Sequence, residues 1–176
     1  HADRSSHADH HRLVRVVVDG ASTTVVPLTG SSIDTVWSEP RWSHDGTRVA
    51  ATRWLTGGVS EIVVLDTTGR VVQTVGRSRA VNGSPAWGGD DRSIYFTSDR
   101  NGSPQIYLMD VDGGNVRRVS PEGNYNDSAA WSPRGDKLAY ASRLEGRFQI
   151  VVLDIATQGI AQITREGNNE NPRWSP

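Results

Sequence analysis

Cysteine is absent from the 176 residues, so neither a disulfide nor a thiolate metal site can hold this chain together. No apolar run approaches the roughly 20 residues that a membrane-crossing helix requires, and membrane spanning is not expected. Lysine is nearly absent as well: Lys137 stands alone, and arginine carries the remaining cationic charge. The 19 basic residues are scattered among 20 acidic ones and leave a formal net charge of −1. Without a single-sign block, the chain lacks the electrostatic footprint of a nucleic-acid or anionic-membrane binder. Catalytic signatures are missing too. The sequence holds no Gly-x-Ser-x-Gly elbow, no His-Glu-x-x-His, no phosphate-binding Walker loop and no dinucleotide glycine fingerprint. These absences lead to the expectation of a protein that is not an enzyme and needs no cofactor.

What the chain does have is a period. Three segments align, residues 40–84, 85–128 and 129–171, and a fourth copy opens at 172–176. Trp42, Trp87, Trp131 and Trp174 are spaced 45, 44 and 43 residues apart, while the runs Ile62–Asp66, Ile106–Asp110 and Ile150–Asp154 recur at 44. A fixed period near 40 to 45 residues marks radially repeated, WD40-like blades. Within each copy the pattern is short and β-like: a strand around the Trp, a polar Asp/Gly turn, an apolar run such as Ser93–Thr97, a third strand ending in Asp, then a fourth after a second tight turn. Four strands per period make a blade. A blade has two apolar faces that only neighbouring blades can cover, and the repeated tryptophans suit that packing role. Residues 12–30 match only the outer two strands of a blade. The fold class expected is therefore all-β: an arc of about three and a half to four four-stranded antiparallel blades, incomplete as a ring, with the rest supplied by other residues or by a second copy in a homodimer.

At Ala129–Arg143 and Asp99–Arg118, supported by Gly123–Ser128 and Gly167–Pro176, the wording resembles the propeller repeats of the TolB family; residues 12–81 fit the same repeat class more loosely. The resemblance implies a periplasmic, six-bladed propeller that binds the peptidoglycan-associated lipoprotein within the Tol-Pal envelope machinery. Similar repeats occur in tricorn-like and prolyl-oligopeptidase-type peptidases, where the propeller gates a separate hydrolase domain. An alternative is therefore a substrate-gating propeller, and a further one is an excised or engineered half-propeller that self-associates.

Several residues invite a chemical role. His1, Asp3, His7, Asp9, His10 and His11 include ligand types that a divalent metal accepts, although a polar loop explains them equally well and no metal site is expected. Asp66, Asp110 and Asp154 precede tight turns in every copy and are expected to cap backbone N–H groups. Arg53, Arg100 and Arg143 each end a second strand and are expected to pair with carboxylates, and His44 reads as a solvated turn residue. The loops leading into each Trp-bearing strand emerge on one face of the ring and are rich in amides and aromatics, a mixture suited to protein recognition. On that face Trp37, Asn82, Asn124, Tyr125, Asn126, Asp127, Asn168, Asn169, Glu170 and Asn171 are the expected protein-binding residues, docking a partner near the ring axis.

Overall fold

The computed structural model describes residues 12–30, 32, 34–75 and 79–175, and everything stated below concerns these. The terminal histidine and aspartate cluster, His1 to His11, lies outside them. Fourteen strands form four separate antiparallel sheets, with no helix among the described residues. The first sheet has two strands, β1 (Val14–Asp19) and β2 (Ser22–Pro27). The second runs in chain order through β3 (Thr35–Trp42), β4 (Arg48–Leu55), β5 (Ser60–Asp66) and β6 (Val71–Val75). The third comprises β7 (Asn82–Trp87), β8 (Ser93–Ser98), β9 (Gln105–Asp110) and β10 (Arg117–Arg118), and the fourth β11 (Asn126–Trp131), β12 (Lys137–Leu144), β13 (Arg147–Asp154) and β14 (Ile160–Gln162). No sheet closes on itself. Close backbone approaches between sheets centre on β3, β7 and β11, whereas the backbones of β6, β10 and β14 run near only the strands of their own sheets, so the sheets fan out from adjoining first strands as propeller blades do.

Alternation along the middle strands explains why the blades stack. In the second sheet Ile62 and Val64 point toward the third, where they meet Trp87, Ile94, Phe96, Tyr107 and Met109. The intervening Val63 and Leu65 point the other way, with Val49 and Ala51, onto Leu13, Leu28 and Trp37. The third sheet repeats the arrangement by presenting Tyr95 and Ile106 to Leu138, Tyr140, Val151 and Leu153 of the fourth. Strands buried on both faces read as continuous apolar runs for this reason. Trp37, expected on an exposed loop, is instead a β3 residue buried with Leu13 and Leu28 on the side away from the third sheet.

The first strand of each full blade carries the same irregularity. Register shifts fall between Ser38 and Arg41, Gly83 and Ala86, and Asp127 and Ala130. At each one a non-glycine residue adopts a left-handed backbone: Glu39 at φ 54°, Ser84 at 50° and Ser128 at 57°, with Asn171 at 55° in the equivalent place near the C-terminus. Pro40 and Pro85 sit directly after the left-handed residue, where a missing N–H interrupts no regular ladder. A bulge of this type bends the strand and re-aims side chains. It also moves the strand starts forward to Thr35, Asn82 and Asn126, shortening the loops expected from sequence.

The turns on the opposite side follow the expected chemistry in part. Asp66 Oδ1 accepts from Thr68 N at 2.8 Å and Arg70 N at 3.1 Å, and Asp154 Oδ1 accepts from Ala156 N and Thr157 N. Asp110 instead accepts from the Asn115 side chain at 2.6 Å.

Candidate protein-interaction surface

The loops that enter β3, β7 and β11, together with the links between second and third strands, lie on one side of the blades. There three carboxylates, Glu39, Asp99 and Asp127, line a cleft of about 350 Å³ with Trp54 and Tyr125. Each is positioned by the backbone. Glu39 Oε2 accepts the Ser84 N–H at 2.8 Å, and Oε1 accepts the Ser84 hydroxyl at 3.0 Å, so the bulge of one blade is bound to the bulge of the next. Asp99 Oδ1 accepts the Val81 N–H at 2.8 Å, and Asp127 Oδ1 accepts the Thr97 hydroxyl and the Ser128 N–H, both at 2.6 Å. Trp54 donates its indole N–H to Ser38 Oγ at 3.2 Å, which holds its ring at the edge of the cleft. The result is an anionic, aromatic-rimmed concavity assembled from three blades. Such a site favours a cationic or donor-rich group from a partner.

Tyr125 stands edge-on to Phe148, with ring centroids 5.1 Å apart. Burial, then the nearby carboxylates of Asp127 and Glu170, push its phenol above the ordinary value, so it remains a neutral hydrogen-bonding group. Asn124 is exposed and lines a second, larger hollow of about 960 Å³ with Arg143, Arg147 and Arg165.

The expected contact residues divide into two groups. Asn124, Asn168, Glu170 and Asn171 are exposed, and Tyr125, Asp127 and Asn169 half-buried, on the loop side. Asn82 and Asn126, by contrast, are completely buried and serve the interior. Asn82 Nδ2 donates to the Ser60 carbonyl at 2.8 Å while its Oδ1 receives Arg100 at 3.1 Å. Asn126 Nδ2 donates to Gln105 Oε1 at 2.7 Å and to the Glu122 carbonyl at 2.8 Å. Asn169 repeats that pair with Gln149 Oε1 and the Glu166 carbonyl. These amides close the loop returning from the outer strand to the next inner one. A buried backbone in a loop needs such partners, and this role, not contact, accounts for Asn82 and Asn126.

The recurrent arginines follow three courses. Arg53 pairs with Glu61 and lies over the Trp37 ring; Arg100 bonds Asn82 and Ser98 and lies over Phe96 and Tyr107. Among the described residues, only the first pairs with a carboxylate. The Arg143 guanidinium has no hydrogen-bond partner among the described residues, and the Asn126 Oδ1 that would correspond to Arg100's acceptor is buried without a donor. Glu39, Trp54 and Asp99 were not singled out from sequence, although the positive φ of Glu39 before Pro40 marks a position whose side chain is re-aimed.

The profile of the family described as the TolB beta propeller domain matches residues 8–176. Among solved structures, TolB from Acinetobacter baumannii is similar at 26% identity and a TM-score of 0.71, over 87% of this chain and 40% of that one. The putative TolB from Agrobacterium tumefaciens is similar at 22% identity and a TM-score of 0.64, over 87% of this chain and 58% of that one. A puromycin-hydrolyzing peptidase from Mycobacterium tuberculosis shares the fold at 21% identity and a TM-score of 0.64, over 80% of this chain and 24% of that one. The chain thus spans less than two thirds of the length of each of these proteins.

Proposed function

Since the chain belongs to the TolB β-propeller family, we propose that it is a non-catalytic protein-binding propeller segment of the bacterial envelope, working in the periplasm and docking a partner on its loop side. The observation that carries this reading is the cleft in which Glu39, Asp99 and Asp127 converge beside Trp54 and Tyr125. Asp99 and Asp127, each held through one oxygen by a backbone N–H, keep the other oxygen for a partner and need little reorganisation to receive it, while Glu39, engaged by Ser84 and Thr52, adds its charge. The half-buried aromatics add contact area at low entropic cost. By family membership the partner is a protein resembling the peptidoglycan-associated lipoprotein. Pairing of two copies into a larger ring also belongs to this proposal.

Titration calorimetry with the soluble domain of a peptidoglycan-associated lipoprotein tests the reading. Trp54→Ala combined with Asp99→Asn should weaken binding about tenfold or more, and raised salt should weaken the unmodified chain's binding. Unaltered affinity in the double variant, or no binding by the unmodified chain, rejects the assignment. A peptidase-gating role rests on fold likeness at low identity only, and no feature of the cleft favours it.

A further inference from the structure

The four repeat-related tryptophans end on the side opposite the loops, yet they are not equivalent. Trp87 donates its indole N–H to the Arg41 carbonyl at 2.9 Å, and Trp174 donates to the Ala130 carbonyl at 2.9 Å, the corresponding place two blades on. For Trp131 the matching acceptor is the Ala86 carbonyl, but that bond does not form. The Trp131 ring lies 4.9 Å from that of Tyr95 instead, and its N–H is buried with no acceptor. Trp42 is 46% exposed, far more than a packing residue requires. These four indoles wall a cleft of about 330 Å³.

The residue before each tryptophan completes the site. It is arginine in two copies and alanine in two: Arg41, Ala86, Ala130 and Arg173. The two alanines leave room between blades, and both arginines line the space that results. Among the described residues, each guanidinium bonds only the carbonyl of its own preceding proline, Arg41 to Pro40 at 2.9 Å and Arg173 to Pro172 at 2.7 Å. Among the described residues no side-chain carboxylate lines the cleft. Glu39 acts on Arg41 with opposite sign, and its oxygens are already occupied by Ser84 and Thr52. Burial and then the charge of Arg173 lower the Arg41 pKa, consistent with two cations sharing one space. His44 at the rim is held by Asp91 at 2.8 Å.

Guanidinium and indole groups are donors without acceptor capacity. A cleft whose charged groups are two guanidiniums, with indole faces as its walls and the His44 ring tied to Asp91 at its rim, is complementary to oxygen anions on a flat apolar body. We propose that this cleft binds a small organic anion, a carboxylate or phosphate group carried on a planar apolar body, with Arg41 and Arg173 clasping the charge and Trp42 and Trp131 bordering the body. The site is independent of the loop-side reading and survives its failure.

The test uses the ¹⁵N-labelled indole signals of the six tryptophans, followed by NMR during titration with benzoate, phenyl phosphate, benzamide and inorganic phosphate. Benzoate, phenyl phosphate or both should shift the Trp42 and Trp131 signals saturably. Benzamide and inorganic phosphate should each bind at least about tenfold more weakly, one lacking the charge and the other the body. Whichever of the two aryl anions binds more tightly identifies the charged group. Arg41→Gln with Arg173→Gln should lose at least about tenfold in affinity while the Trp87 signal stays in place, because its acceptor is the backbone carbonyl of residue 41 and survives the substitution. The Trp37 and Trp54 signals, on the other side, should not move. Benzamide binding as tightly as benzoate, full affinity in the double variant, shifts confined to Trp37 and Trp54, or no saturable shift with any probe would each overturn the proposal.

Discussion

Asp91 accepts the His44 N–H at 2.9 Å, the His44 ring at 2.8 Å and the Asp45 N–H at 2.9 Å, while its own carbonyl receives Arg48 at 2.7 Å. One residue thereby ties the turn of one blade to the turn of the next, and His44, expected to be merely solvated, is half of the clamp. Burial alone would raise the Asp91 pKa, but hydrogen bonds from the His44 backbone and ring and from the Asp45 backbone outweigh it, and the carboxyl lies below its ordinary 3.8. A carboxylate with a lower pKa in the folded than in the unfolded chain contributes stability that is fully present above the unfolded value. That stability is lost as pH falls through the folded value. Asp91→Asn should therefore destabilise the chain by on the order of 2 kcal/mol at pH 7, with the gap from the unmodified protein narrowing below about pH 4. Urea unfolding at pH 7 and pH 3 measures this, and a gap independent of pH would mean that the charge is irrelevant.

At the scale of single elements, the blade edge is decided by backbone geometry as much as by side chains. Gly69, at φ 86° in the turn between β5 and β6, packs so closely on the two-stranded sheet that an added Cβ would fall 1.6 Å from the Leu28 carbonyl oxygen. Gly57, at φ 90° in the β4–β5 link, has open space around it. Gly57→Ala should cost about 1 kcal/mol, the expense of a left-handed backbone alone. Gly69→Ala should cost at least about 2 kcal/mol and loosen β1 and β2, since backbone has to move. Thermal unfolding of the two variants separates the terms, and equal losses would rule out the contact with Leu28. The bulges of the first strands act at the same scale: each turns a residue out of the ladder, and in β3 that residue is Glu39, the carboxylate that joins two blades.

For the whole molecule, the apolar faces are shared. Phe96, fully buried, belongs to a cluster drawn from two sheets, and Tyr140 to the next cluster along. A sheet that buries one face on each neighbour cannot unfold without exposing them both, which links the stability of adjacent units. Phe96→Ala should cost about 3–5 kcal/mol and lower one common transition, seen at the same temperature by circular dichroism and by tryptophan fluorescence. Two separated transitions would show that the blades melt independently. At this scale two clefts of opposite character lie at the two ends of the inner strands: Glu39, Asp99 and Asp127 line the one on the loop side, and Arg41 with Arg173 the other. A net charge of −1 does not reveal that contrast.

The period of the tryptophans and of the apolar runs determined the sheets, their order and their stacking, because side-chain alternation and turn chemistry are local properties written directly into residue order. The same reading placed Asn124, Tyr125, Asp127, Asn168, Glu170 and Asn171 on the loop side. It misplaced Trp37, Asn82 and Asn126, because polar or bulged segments of a strand look like loop, and the amide that closes a loop from within has the same composition as one that faces solvent. Only the tertiary structure brought together Glu39, Asp99 and Asp127, up to 88 residues apart in the chain, or left the Trp131 N–H without the acceptor that Trp87 and Trp174 find. Convergence of that kind depends on the bulges and on how one blade leans against the next, and those are set by packing between sheets that no local pattern encodes.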